Sequence, residues 1–265
     1  MKLYVIISCY TICMHRIFLD SSCFLKSSAS CCEAVFTNEQ IRHLKHVLRI
    51  KKGECLEIVK DEAFLLGVKF IEFKENKMFG TILKEEKIDK GNVVQIWLAQ
   101  ALPKQDKLSE ILRKCTELGV SRFMPVLTSR CDYKLDADKR YVKQERWTNV
   151  INSAAEQAKL VFIPSLDEIK DFDAFSKAVA DLNCIKIACW EEESALGLKS
   201  FLKSVDLVNG LPILVFIGPE GGITELEIQA LKTAGFKSVS LGKTILRVEN
   251  AGFASISNIL YEIGF

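Results

Sequence analysis

Fifteen residues near the C-terminus constrain this chain more than any others: Leu214-Val215-Phe216-Ile217-Gly218-Pro219-Glu220-Gly221-Gly222-Ile223-Thr224-Glu225-Leu226-Glu227-Ile228. They open with an apolar, β-branched and aromatic run suited to a strand buried on both faces. Gly218, Pro219, Gly221 and Gly222 then turn the backbone tightly and open its N–H groups to a ligand, because glycine accepts positive φ and proline fixes its own. Thr224 and Glu227 make a Thr-x-x-Glu capping box, which predicts a helix from Glu225 to Ala234 with Gly235 as its left-handed stop. Strand, glycine loop and capped helix are the layout of a small-molecule site. The same layout also occurs as a plain strand-to-helix turn.

Two familiar phosphate sites fail on spacing. A dinucleotide fingerprint requires glycine where Glu220 stands, and Gly242-Lys243-Thr244 would close a P-loop only if Lys237 were glycine. A nucleoside triphosphate site is therefore not expected.

A second glycine turn follows in Val239-Ser240-Leu241-Gly242-Lys243-Thr244-Ile245-Leu246-Arg247-Val248-Glu249-Asn250-Ala251, where a short strand passes into the last helix. Ile-Gly-Pro-Glu-Gly-Gly, a capped helix and then Leu-Gly-x-x-Ile-Leu-Arg-x-Glu-x-Ala resembles the pattern of the RsmE-type 16S rRNA uridine-N3 methyltransferases of the SPOUT class. The resemblance implies an α/β fold with a trefoil-knotted, mostly parallel sheet and a small N-terminal PUA-like β-barrel. It implies S-adenosylmethionine as cofactor, held by Ile217, Gly218, Pro219, Glu220, Gly221 and Gly222 of the first loop and by Leu241, Gly242, Ile245 and Leu246 of the second. Arg247 and Glu249 are the catalytic candidates, against the plainer reading of a helix-end ion pair or a dimer contact. Asn250 replaces the family's usual threonine. The implied partners are 16S rRNA within the small ribosomal subunit and a second copy of the chain, in the cytoplasm and away from any membrane.

Three domain segments are expected: an extension or misassigned start over residues 1–13, the barrel over 14–88 and the methyltransferase domain over 89–265. Residues 1–13 are apolar after Lys2 but lack a signal-peptide cleavage site, and Met14-His15-Arg16-Ile17-Phe18 resembles the family's usual start. From Met14 to about Ile88, short apolar runs at Arg16–Leu19, Cys55–Val59, Phe64–Phe73 and Met78–Leu83 read as a small barrel. Between them, Ile41, Leu44, Val47 and Leu48 share one helical face, and Arg42, Lys45, Arg49, Lys51 and Lys52 point elsewhere. A solvated basic face accounts for that charge as well as RNA does. The His-x-x-x-x-Leu-Arg-x-x-x-Gly pattern there resembles the family's RNA-binding domain, and Arg16 joins the candidate RNA contacts.

In the second domain Val93–Gln100 reads as a strand. Leu108, Ile111, Leu112, Cys115 and Leu118 recur at helical spacing up to Gly119, and a strand follows near Phe123–Leu127. That βαβ pattern predicts a mostly parallel sheet. Lys114-Cys115-Thr116-Glu117-Leu118-Gly119-Val120 resembles a family motif. A helix from about Lys139 to Lys159 ends in Glu156-Gln157-Ala158-Lys159, where Lys159 stands for a family arginine and is a further RNA candidate. Ile185–Cys189 reads as a strand ending at Trp190-Glu191, so strand ends after Cys189, Ile217 and Leu241 should meet at the sheet's carboxyl edge.

Charge excludes a strongly basic tail protein, since 36 basic and 34 acidic residues leave only +2. Ten cysteines in the 265 residues show no Cys-x-x-Cys spacing, and His15, His43 and His46 have no cysteine pair at ligand distance, so no metal is expected. Other outcomes left open are a SPOUT enzyme acting on another base or on ribose, and a non-catalytic RNA-binding assembly factor.

Overall fold

The structure, a computed structural model, describes residues 15–28, 31–89, 94–132, 137–207 and 210–264. The expected extension over residues 1–13, the start at Met14 and the strand residue Val93 lie outside them. The chain divides into two compact units between residues 90 and 91.

In the first unit β1 (His15–Leu19), β2 (Phe24–Ser28), β3 (Cys31–Val35), β4 (Cys55–Lys60), β5 (Phe64–Lys74) and β6 (Lys77–Lys87) form one sheet in the order β1-β4-β5-β6-β3-β2. Alternation along the strands sends Leu56, Ile58, Leu66, Val68 and Met78 into a core shared with Phe36 and Leu44, as a two-residue period requires. One sequence expectation needs correction here, the phase of the segment after Arg42. Arg16, one of the candidate RNA contacts, lies opposite Glu57 in the parallel β1–β4 pairing. Its Nη2 and Nε donate to Glu57 Oε2 at 2.8 and 3.0 Å and only 8% of the residue is exposed, so a cross-strand ion pair takes up its charge. Val47, expected to share one helical face with Ile41 and Leu44, is 65% exposed while those two are buried. The cause is that α1 (Asn38–Arg42) runs into a π-helical turn over His43–Val47, closed by the Leu48 N–H donating to the His43 carbonyl at 2.9 Å. The wider turn shifts the side-chain phase after Leu44.

The second unit holds β7 (Ile96–Ala101), α2 (Lys107–Glu117), β8 (Arg122–Leu127), α3 (Ala137–Gln157), β9 (Ser165–Leu166), β10 (Lys170–Asp171) and α4 (Phe172–Ala180). After them come β11 (Ile185–Cys189), α5 (Leu198–Ser204), β12 (Ile213–Ile217), α6 (Glu225–Thr233), β13 (Lys237–Val239) and α7 (Val248–Glu262). All strand pairs are parallel, in the order β10-β8-β7-β12-β11-β13 with β9 also on β8. Every residue of β12 is buried. Ile213, Val215 and Ile217 join α2, α3, α5 and α7 on one face, while Leu214 and Phe216 join α4 and α6 on the other. This is the two-sided burial that the apolar run predicts.

Within this sheet Lys186 is 7% exposed, and its Nζ donates to the carbonyls of Ala180 at 2.6 Å and Ala234 at 3.0 Å. One ammonium thus satisfies carbonyls at the C-terminal ends of both α4 and α6, where the helix dipoles favour a cation. The chain leaves β7 for β8 on one side and returns to β12 on the other. The crevice at that reversal is where an open parallel sheet binds ligands.

Candidate functional site

Because the strands are parallel, the segments after Cys189, Ile217 and Val239 leave the sheet at one edge. Together with Lys107 and the start of α7 they enclose a cavity of about 600 Å³. Its wall contains all ten residues expected to hold a cofactor, namely Ile217, Gly218, Pro219, Glu220, Gly221, Gly222, Leu241, Gly242, Ile245 and Leu246, and also Arg247 and Glu249. A larger hollow of about 990 Å³ lies between α2 and α3. It is an outer groove that includes none of the glycine turns, so the smaller cavity is the candidate site.

The glycine loop is built from local signals. Thr224 Oγ1 accepts from the Glu227 N–H at 3.2 Å, and Glu227 Oε2 accepts from the Thr224 N–H at 2.9 Å, so the capping box starts α6 where the sequence sets it. Glu227 Oε1 also accepts from the Ser129 N–H at 2.8 Å. Burial works against its charge, but these donors more than offset it and hold the carboxyl below the usual range. Gly222 sits at φ 76°, and a Cβ there would land on the Glu191 carboxylate. A Cβ on Gly221 would come within 3.0 Å of Arg130 Cβ. Arg130 Nη1 in turn donates to the Gly221 carbonyl at 2.7 Å.

Arg247 is the exposed N-cap residue of α7, and Glu249 lies in the first turn with 14% of its side chain exposed. Lys107 Nζ stands 3.0 Å from Glu220 Oε1 and 3.5 Å from Glu249 Oε2. The Lys104 N–H donates to both Glu220 oxygens, at 3.2 and 3.0 Å. Burial pushes the Glu220 carboxyl up, and these donors bring it net below its ordinary value. Lys107 is raised, chiefly by its hydrogen bond to Glu220. Cys189 at the cavity wall is driven by burial to about 12, so it lines the site as a neutral thiol. Among the described residues no three His, Cys, Asp or Glu side chains come together as a metal site.

Sequence reasoning passed over Lys107, Trp190, Glu191 and Arg130 as site residues, although Pro103–Lys107 and Trp190-Glu191 both follow predicted strands. Of the RNA candidates, Arg42, Lys45, Arg49, Lys51 and Lys52 are exposed along one short segment, with Lys45 Nζ 5.2 Å from the centre of the Phe73 ring. Lys159 is exposed just past α3 at φ 55°.

Comparison with known proteins adds to this geometry. Residues 90–260 match the RNA methyltransferase domain family. Over 228 residues the chain is 30% identical to the ribosomal RNA small subunit methyltransferase E of Bacillus subtilis, spanning 85% of this chain and 89% of that protein. It is 32% identical over 225 residues to the protein of the same name from Synechocystis sp., spanning 84% and 71%. A crystal structure of a ribosomal RNA small subunit methyltransferase E from Neisseria gonorrhoeae bound to S-adenosyl methionine aligns with a TM-score of 0.77 at 25% identity, over 94% of this chain and 97% of that one.

Proposed function

The chain belongs to the ribosomal RNA small subunit methyltransferase E family, and from that premise we propose that it methylates N3 of one uridine in 16S rRNA. It is an S-adenosylmethionine-dependent rRNA methyltransferase. The observation that carries the finer reading is the cavity of about 600 Å³ formed by the glycine turns of one parallel sheet, with Arg247 and Glu249 in its wall. Small-molecule sites run from ~300 to ~1,000 Å³, so the volume suits such a cofactor. Gly222 takes φ 76°, which glycine adopts without strain, so the loop can turn its backbone toward a ligand.

Bound there, S-adenosylmethionine supplies a methyl group already activated by its sulfonium. The protein has to hold the base nitrogen in line and close, and to deal with the N3 proton. Removing that proton spreads negative charge over the uridine carbonyl oxygens. Arg247, permanently cationic at the N-terminus of α7 where the helix dipole is also positive, stabilises that charge. Glu249, one turn-start away, orients Arg247 or accepts the proton. N3 is buried in a base pair, so the target uridine must be unpaired or flipped out.

Residues 14–88 form a PUA-like RNA-binding domain in this reading, with Arg42, Lys45, Arg49, Lys51 and Lys52 on phosphates and Lys159 as a further contact from the methyltransferase domain of residues 89–265. That domain is a trefoil knot and pairs with a second copy in the cytoplasm. Support for pairing comes from apolar groups that α7 and its approach leave in solvent, Ile245 at 86%, Phe253 at 41% and Tyr261 at 84% exposure. Mass mapping of 16S rRNA nucleosides from cells with and without the gene tests the function. Loss of one 3-methyluridine is expected. Loss of a different methylated nucleoside would overturn N3 as the target, and an unchanged map would overturn rRNA methylation by this chain.

A further inference from the structure

Lys107 occupies the first position of α2. A cation there faces the positive end of the helix dipole, an arrangement that costs stability unless anions offset it. Two do, and they come from separate parts of the chain. Glu220 belongs to the glycine loop and Glu249 to the first turn of α7, with Lys107 Nζ 3.0 Å from one and 3.5 Å from the other. The approach to α2 is shaped to match. Gln105 adopts φ 56°, a left-handed conformation that a non-glycine residue enters at a cost, and the preceding Lys104 N–H points at Glu220. Glu249 Oε2 is buried and has no hydrogen-bond partner among the described residues, so the ammonium 3.5 Å away is its nearest counter-charge. All three side chains line the cavity.

We propose that Lys107 is a positioning residue for methyl transfer, its ammonium shared between Glu220 and Glu249 so that the Glu249 carboxylate is fixed relative to the glycine loop. The proposal rests on the methyltransferase reading above and adds the residue that joins the cofactor loop to the last helix. Lys107 acts through Glu249, while Glu220 anchors Lys107 from the loop. Without the ammonium two carboxylates would be left beside one cavity, repelling each other, and Glu249 would swing away from the position that serves Arg247 or the leaving proton.

The test uses the full chain with small ribosomal subunits that lack the modification. Single-turnover rates at saturating S-adenosylmethionine are measured for wild type, Lys107→Met, Lys107→Arg, Glu249→Gln and the Lys107→Met/Glu249→Gln pair. S-adenosylhomocysteine binding is followed by calorimetry. Lys107→Met is expected to slow transfer by about 10-fold to 10²-fold, the scale of a misplaced group. S-adenosylhomocysteine affinity should stay within about threefold, because neither carboxylate needs the lysine to leave the cavity open. Lys107→Arg should recover most of the rate, since it restores the charge between the two acids. In the Glu249→Gln background Lys107→Met should cost less than about threefold more, the non-additivity of two groups acting as one. Fully additive losses, or a loss confined to S-adenosylhomocysteine affinity, would overturn the proposal. Wild-type transfer together with an unimpaired Lys107→Met variant would overturn it alone. A wild-type chain that transfers no methyl group would overturn the underlying reading and the proposal with it.

Discussion

Arg247 is the residue at which binding and chemistry separate most cleanly. If its charge stabilises the uridinate, Arg247→Ala should lower the single-turnover rate by ~10² to 10³, as loss of an oxyanion donor does, with much smaller losses in RNA and cofactor affinity. Raising the pH should partly rescue that variant, because more uridine is then ionised before transfer. A defect confined to cofactor affinity would make Arg247 a binding residue instead. Glu156 offers a stability measurement of the opposite kind. Burial raises its carboxyl from 4.5 to about 7. The folded chain therefore holds this proton more tightly than the unfolded chain, and stability drains away as pH rises from about 4.5 to about 7. Glu156→Gln should stabilise the protein by ~1–3 kcal/mol at pH 8 and by less at pH 5, as read by chemical denaturation. Equal effects at both pH values would assign the gain to something other than the buried charge. Lys107 was passed over, and the pairing of Arg16 with Glu57 was not foreseen, for one physical reason. The groups that define them lie far off in sequence, Glu220 at a separation of 113 residues and Glu57 at 41, and no local pattern announces a long-range ion pair.

At the scale of elements, the basic segment from α1 through Lys52 carries a direct electrostatic test. If Arg42, Lys45, Arg49, Lys51 and Lys52 lie on phosphates, neutralising two of them should weaken RNA binding and shallow its log–log salt slope by ~0.7–0.9 per contact. S-adenosylhomocysteine binding should not change. An unaltered slope would return the segment to a solvated basic face. What was legible among the elements follows the locality of the signal. The β12 run and the capped α6 carry their instructions within a few residues, and both form where the sequence sets them. The phase of the segment after Arg42 was not legible, because a π turn inserts without changing the apolar spacing that a helical reading uses. The strands β9 and β10 are two residues each, too short to show any period. They exist because β8 offers an edge to pair with. Residues 240–247 were legible as a glycine turn, but only the fold brings Glu191 and Lys107 to the same cavity.

On the scale of the whole molecule, the chain has two sheets with separate cores. Leu56, Ile58, Val68 and Met78 fill the first, and the residues of β7 and β12 fill the two faces of the second. The candidate cofactor cavity is lined entirely by residues of the second unit. A ligand that binds only the native form of that unit stabilises it by ~2.7 kcal/mol at one hundred times its Kd. Amides of Ile96–Ala101 and Ile213–Ile217 that exchange only through full opening of their unit should then exchange ~100-fold more slowly with S-adenosylhomocysteine present. Those of Cys55–Lys60 and Phe64–Lys74 should keep their rates, because their core shares no residues with the unit that lines the cavity. Hydrogen exchange followed by mass spectrometry of these four segments decides the matter. Equal slowing in both sheets would mean that the two units open as one cooperative body. Slowing in neither would mean that S-adenosylhomocysteine does not bind the native chain, and would remove the cavity from consideration as the cofactor site.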